Sequence, residues 1–299
     1  MSKTVRHGIA LVLASMLFLV SASFMAIPAE AAKKPTASTI QGIAHMAYNV
    51  TSLAKARAFW VDYLGYAEPF AVSSQVAVIK INDNQYIELY EGKLDSTNGQ
   101  YQLKNIGYYT TDAAALLAQL KKNGVKVPTS VTTNALGNLS FTVTDPDGHV
   151  IEFVQYMSTS LTGKTQGKAM PSTRIFTSII SNGATSKNQL VTNEFLQTKI
   201  GFLPNGDSGL NSHLIRIPNS DQFYECGVLG PNETLNAATA GKKNQVDLKT
   251  DPGMTIQEAV DILKKRDPKI TVDLHYTSGD RWVGNIYDPD GSRVELDDK

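Results

Sequence analysis

Apolar and polar residues alternate in short runs along most of the chain. Residues 41–49, 74–81, 85–91, 105–111, 138–144 and 149–156 carry the two-residue period of half-buried strands. Two segments switch to a helical period, 52–64 and 112–123. The second is the clearer. Asp112 stands at its N-cap, Leu116, Leu117 and Leu120 form one stripe, and Gly124 closes it. The order strand-helix-strand-strand-strand therefore occurs twice between 40 and 157, if one weak strand per half is allowed. Such a mixture of strands and short helices predicts an α+β fold.

The same pattern returns in the second half of the chain. Asp-Pro-Asp-Gly occurs at 145–148 and again at 288–291. Proline presets φ and glycine supplies a positive φ, so each copy predicts a tight hairpin. A glutamate follows each glycine by four residues, Glu152 and Glu295. Phe59–Tyr66 has a counterpart in Phe195–Phe202, Tyr86–Leu89 in Phe223–Cys226, and Asn105–Asp112 in Asn244–Asp251. The chain thus reads as two tandem copies, 40–157 and 173–299. Residues 158–172, rich in Gly, Ser and Thr, read as the linker.

The N-terminus belongs to neither copy. Lys3, Arg6 and His7 precede an apolar run from Gly8 to Ile27, followed by Ala29 and Ala31 at small-residue positions. This order predicts a signal peptide over 1–31, a flexible leader over 32–39, and a secreted or periplasmic protein free of the membrane after cleavage. Cys226 is the only cysteine, so no disulfide forms within the chain. A formal net charge of +0 shows no electrostatic footprint for nucleic acid.

Candidate chemistry comes from strand faces. Ile43, His45 and Ala47 are expected on one face of the first strand; Tyr86, Glu88 and Tyr90 on one face of another; Val150, Glu152 and Val154 on one face of the last. Each strand so places one ionisable group among apolar neighbours, where it needs a counter-charge, hydrogen bonds or a metal. His45, Glu88 and Glu152 together make a hard nitrogen and oxygen donor set suited to Mn, Fe, Ni or Zn.

With D-P-D-G-H-V-I-E-F over 145–153, the histidine at 45 and I-E-L at 87–89, the chain resembles the vicinal oxygen chelate superfamily, which includes glyoxalase I, bleomycin-resistance proteins and extradiol dioxygenases. The resemblance implies paired βαβββ modules curled into cups, two such glyoxalase-like domains here, and a divalent metal on His45, Glu88, Asn105 and Glu152. Asn105 departs from the histidine usual at that position. The family's chemistry implies a small oxygen-chelating substrate and an isomerase, lyase or dioxygenase reaction, with Glu152 doubling as general base. A metal-free binder that sequesters a flat ligand is the rival reading, and a scaffold without a pocket a third. In the second copy the same positions are expected at Thr177, Glu225, Asn244 and Glu295; lacking histidine, that copy reads as structural or as a lid.

The remaining candidates have plainer readings. Asp145, Asp147, Asp288 and Asp290 are assigned to turn chemistry, His149 to an exposed hairpin position, and Cys226 to a non-nucleophilic thiol whose pKa Glu225 raises. Trp60, Tyr63, Tyr86, Tyr90, Tyr108 and Tyr109 are an aromatic supply for core or cup.

Overall fold

The computed structural model describes residues 38–94, 96, 100–277 and 281–298. The expected signal peptide, 1–31, and most of the leader lie outside the described residues. Two seven-stranded sheets dominate. The first module runs β1 (Ile40–Val50), α1 (Leu53–Arg57), β2 (Val76–Lys80), β3 (Tyr86–Glu91), β4 (Leu103–Thr110), α2 (Ala113–Lys122), β5 (Thr132–Thr133), β6 (Leu139–Thr144) and β7 (Val150–Gln155). The second runs β8 (Phe176–Ser186), α3 (Gln189–Glu194), β9 (Leu214–Arg216), β10 (Phe223–Val228), α4 (Ala237–Lys243), β11 (Val246–Thr250), α5 (Ile256–Arg266), β12 (Asp273–Thr277), β13 (Arg281–Tyr287) and β14 (Arg293–Asp297). The fold is α+β, built from two tandem modules of the expected kind.

Strand order is β2-β3-β1-β4-β7-β6-β5 in one sheet and β12-β13-β14-β11-β8-β10-β9 in the other. In each module two halves meet along a central antiparallel pair, β1 with β4 and β8 with β11. Parallel partners flank that pair, β3 and β7 in the first module and β10 and β14 in the second. The weak strand of the first half is reduced to a single bridge, Ala67 to Lys80.

Local sequence explains the helices. The Asp112 side chain accepts a hydrogen bond from the Ala115 amide at 2.9 Å, which satisfies one orphan donor of α2. Leu116 and Leu120 are buried beneath it. Thr255 and Glu258 form a reciprocal capping box on α5, which buries Ile256, Val260 and Leu263. Ser52 and Asn188 cap the first helix of each module one-sidedly, each side chain accepting from amides of the first turn.

One apolar core continues through both modules. Tyr108 packs edge-on against Phe202 with ring centroids 5.0 Å apart, and its hydroxyl donates to Asn182 Oδ1 at 3.2 Å. Trp60, Tyr63 and Tyr108 all belong to this core. Gln85 exchanges two hydrogen bonds with the backbone of Ile179, both 2.8 Å. Gln222 answers from the second module, accepting from the Ile43 amide at 2.6 Å.

The Asp-Pro-Asp-Gly turns do more than close hairpins. Asp147 accepts from the Lys187 amide at 3.0 Å and from Thr192 Oγ1 at 2.6 Å, both in the second module. Asp290 accepts from the amide and hydroxyl of Thr51 in the first. Thr51 and Lys187 each directly follow the first strand of their module, so the two turns dock reciprocally. A pure turn role for these aspartates is therefore corrected. His149 is also not exposed: it is 2% accessible, and its Nδ1 pairs with Asp145 Oδ2 at 2.9 Å. In the second turn Ser292 takes its place, and Asp288 Oδ2 has no hydrogen-bond partner. Burial, above all, then pushes the Asp288 carboxyl up to about 6.

The segment 158–172 is not a free linker. Leu161 packs with Val78, Tyr86 and Leu136 over the first sheet. The buried Lys80 ammonium binds both Asp83, at 2.6 Å, and the Thr165 carbonyl.

Two consequences are measurable. Asp147→Ala leaves two donors at the inter-module contact unpaired and is expected to cost about 2 kcal/mol, read as a lower urea midpoint with an unchanged slope; Asp290→Ala, at a half-exposed site, costs less. Because the folded pKa of Asp288 lies above its unfolded value, its favourable contribution is complete below about pH 4 and is lost as pH rises through about 6. Asp288→Asn, which keeps the accepting oxygen, is expected to flatten that loss of roughly 2–3 kcal/mol between pH 4 and 8 in urea melts.

Candidate functional site

Register decides which side chains share the concave face of the first sheet. His45 pairs with Gly107 across β1 and β4, and Gly107 pairs with Glu152 across β4 and β7. Ala47 pairs with Asn105 on one side and Glu88 on the other. Residues paired in register point the same way, so His45, Glu88, Asn105 and Glu152 come to one face of four adjacent strands. Ile43 does not join them. A bulge between Ile43 and His45 sends Ile43 to the opposite face, beside Tyr108 in the core. Of the aromatic supply, Tyr86, Tyr90 and Tyr109 stand on the concave side, two, two and two residues from Glu88, Glu88 and Gly107 along their strands.

The imidazole of His45 is the centre. It is 3% accessible. Its Nε2 lies 2.7 Å from Asn105 Oδ1 and 3.6 Å from Glu152 Oε2. Its Nδ1 faces Glu88 Oε1 at 3.8 Å. Glu88 is held in turn by the Tyr90 hydroxyl at 2.7 Å, and Glu152 by Asn134 Nδ2 at 3.2 Å. The ring lies flat over Gly107, where any Cβ would overlap it. Glycine at 107 is thus a requirement of space.

Burial lowers the affinity of this ring for a proton, but Glu88, Glu152 and the bond to Asn105 together outweigh it, and its pKa is raised. The Tyr90 phenol is pushed well above its ordinary value, chiefly by burial and then by Glu88, so it stays a donor. Over the remainder of the cup, Tyr86, Leu136 and Leu161 pack with Tyr156, whose hydroxyl donates to the Asn84 carbonyl at 2.7 Å. At the far end, Lys104 stands 4.6 Å from the Tyr90 ring centre, beside an opening of about 560 Å³ that Asn49, Gln100 and Val150 also line.

The four expected residues converge, but not symmetrically. Asn105 and Glu152 face Nε2, whereas Glu88 stands at the other ring nitrogen. Bonds of about 2.1 Å to a shared divalent ion set its ligands roughly 3–3.5 Å apart. The spacings about Nε2, 2.7 Å to Asn105 and 3.6 Å to Glu152, bracket that requirement. The Asn105 amide must give up its direct hydrogen bond and move outward for His45, Asn105 and Glu152 to share a cation, with Glu88 orienting the ring. Among the described residues no three His, Cys, Asp or Glu side chains gather as a cation cage, so an amide is needed to complete this set. Gly107 and Asn134 carry no motif that sequence reading flags; only the register shows their part.

The second module places its counterparts differently from expectation. Ser181 pairs with Asp247 and Phe223, and Asp247 with Glu295, so Ser181 stands where His45 does and Asp247 where Gly107 does. Thr177 lies four residues earlier, its hydroxyl on the Thr250 carbonyl. Gln245, which exchanges backbone hydrogen bonds with Gly183, is the counterpart of Asn105. Asn244 points away, accepting from Thr185 and donating to the Gln100 carbonyl. No turn lies close enough to either position to fix its register, which is why sequence spacing misplaced both. Glu225 and Glu295 do stand at the positions of Glu88 and Glu152. The Cys226 thiol is pushed up to about 11, by burial first and only least by Glu225.

Residues 42–153 match the model of the Glyoxalase/Bleomycin resistance protein/Dioxygenase superfamily. The first module is a domain of that superfamily. The whole chain also resembles solved structures. An Mn(II)-bound glyoxalase from Novosphingobium aromaticivorans aligns at TM-score 0.62 with 16% identity, over 87% of this chain and 82% of its own. A 2,3-dioxygenase from Pseudomonas sp. KL28 aligns at 0.63 with 15% identity, over 88% and 94%. An extradiol ring-cleaving dioxygenase from B. fuscum aligns at 0.59 with 15% identity, over 88% and 73%. These likenesses extend the fold to the second module. A search of curated proteins finds no match.

Gly107→Ala tests the packing directly. The added methyl must displace the His45 ring, and the variant is expected to lose about 1–3 kcal/mol of stability and to shift the His45 ring signals in a histidine-selective NMR spectrum.

Proposed function

We propose that the first module is a divalent-metal centre held by His45 Nε2, Asn105 and Glu152, and that the protein, exported by its N-terminal leader, acts on a small molecule with neighbouring oxygen atoms. The observation that carries this reading is the convergence of three donor atoms on one side of a single buried imidazole. The solved glyoxalase of the same fold is Mn(II)-bound, which makes Mn(II) the first ion to load. When bound, such an ion supplies Lewis acidity toward the oxygens of the substrate.

The chain's own residues have separable roles. Asn134 anchors one oxygen of Glu152, so that the other faces the centre. That oxygen is the base we assign to moving a proton on the substrate. Tyr90 fixes Glu88, and Glu88 orients the ring of His45. Tyr86, Tyr156 and Leu161 keep water from the face behind it. Both an isomerase or lyase and a dioxygenase reaction remain compatible with this set, and the choice belongs to the substrate.

A second reading has its own support. His45 already stands among two carboxylates and an amide oxygen that favour its protonated form, an arrangement that needs no metal. A non-catalytic small-molecule binder would be built so.

Metal analysis separates the two. Purified protein loaded with Mn(II) is expected to retain one ion per chain, and His45→Gln or Glu152→Gln to lose it. Glu88→Gln is expected to weaken Mn(II) binding about 10–100-fold without abolishing it. Failure of the wild-type protein to retain any ion favours the binder.

A further inference from the structure

The second module has a cup of its own, and it is not filled. A cavity of about 640 Å³ opens on the concave face of its sheet, a size suited to a small organic ligand. Ile180, Leu214 and Phe223 form its apolar wall. Its floor is the row Ser181, Asp247 and Glu295, set side by side by register.

Asp247 is the anomaly in that floor. It is 2% accessible, yet its Oδ1 has no hydrogen-bond partner. The cations nearby are engaged elsewhere. Arg281 pairs with Asp297, and Arg293 lies 3.5 Å from Glu225 and 3.7 Å from Glu295. Gln245 donates to the other oxygen of Glu225. Lys249 and His213 also line the cavity, but neither stands within salt-bridge distance of Asp247 among the described residues. Burial, and then the charges of Glu295 and Asp297, push the Asp247 carboxyl well above its ordinary range. The buried Asp247 lies beside the part-buried Glu295 on the next strand, and neighbouring carboxylates disfavour joint ionisation unless a proton or a cation offsets one of them.

We propose that this second cup binds a small organic cation, an amine or amidine with an apolar body, whose charged head meets Asp247 and whose body lies against Phe223 and Leu214. A bare metal ion suits the site less well. The oxygens of Glu225 and Glu295 are already turned toward Arg293 and Gln245, and among the described residues no three acidic or histidine side chains gather as a cage. An ammonium or amidinium needs only the free oxygen of Asp247 and an apolar wall, and a ring or alkyl group fills the volume a metal leaves empty. Asp247 stands where the first module has Gly107. The carboxylate therefore occupies, in this module, the space that the His45 ring crosses in the other.

The test uses the intact protein and a matched set of probes: benzylamine and benzamidine against benzyl alcohol and benzoate, followed by titration calorimetry and by amide NMR shifts. Binding of the two cations at roughly millimolar or tighter, with shifts centred on β11 and β14 and none from the neutral and anionic probes, is the expected result. Asp247→Asn is expected to weaken that binding at least tenfold. Leu214→Trp, which fills the cavity from its wall and leaves Asp247 intact, is expected to abolish it, so the outcome does not rest on one variant's folding. His45→Gln, in the other cup, is expected to leave it unchanged, and Asp247→Asn to leave Mn(II) retention unchanged. If neither cation binds the wild-type protein, if benzyl alcohol binds equally well, or if Asp247→Asn binds as tightly as wild type, the proposal is wrong. Mn(II) binding that disappears in Asp247→Asn overturns it in favour of a metal site.

Discussion

The structure depends on the register of one antiparallel strand pair in each module. Pairing β1 with β4 sets His45 against Gly107, and the parallel neighbours β3 and β7 then bring Glu88 and Glu152 to the same face. Slip this register by one residue and every side chain changes sides. The bulge between Ile43 and His45 is part of the device. It lets the strand bury Ile43 in the core while presenting His45 to the cup two positions later.

The same skeleton, repeated, carries two different electrostatic solutions. In the first module one imidazole sits between two carboxylates, which raise its affinity for a proton, and the face is closed by Tyr86, Tyr156 and Leu161. In the second, serine replaces the imidazole and a carboxylate replaces the glycine. Among the described residues Asp247 Oδ1 has no hydrogen-bond partner there, and the face stays open. One cup thus presents an imidazole, an amide and two carboxylates, and the other an acidic floor. The two modules nonetheless fold as one body, because each Asp-Pro-Asp-Gly turn is docked on the other module and one core runs through both.

Much was legible in the chain itself. The alternation of apolar residues, the capped helix at Asp112 and the repeated turn determined the fold class and the duplication, because these are local preferences that tertiary context reinforces. His45, Glu88 and Glu152 were also legible, since strand periodicity alone aims each of them among apolar neighbours and a turn fixes the register of Glu152. What tertiary structure decided was everything that depends on pairing between distant strands. It placed Glu88 at the second ring nitrogen, showed Gly107 as the space for the ring, and moved the second-module positions from Thr177 and Asn244 to Ser181 and Gln245. It turned residues 158–172 from a linker into a cover and buried His149 against Asp145. Periodicity tells which face a residue takes within its own strand. Only the bulges and cross-strand register, which no local sequence encodes, tell what stands opposite.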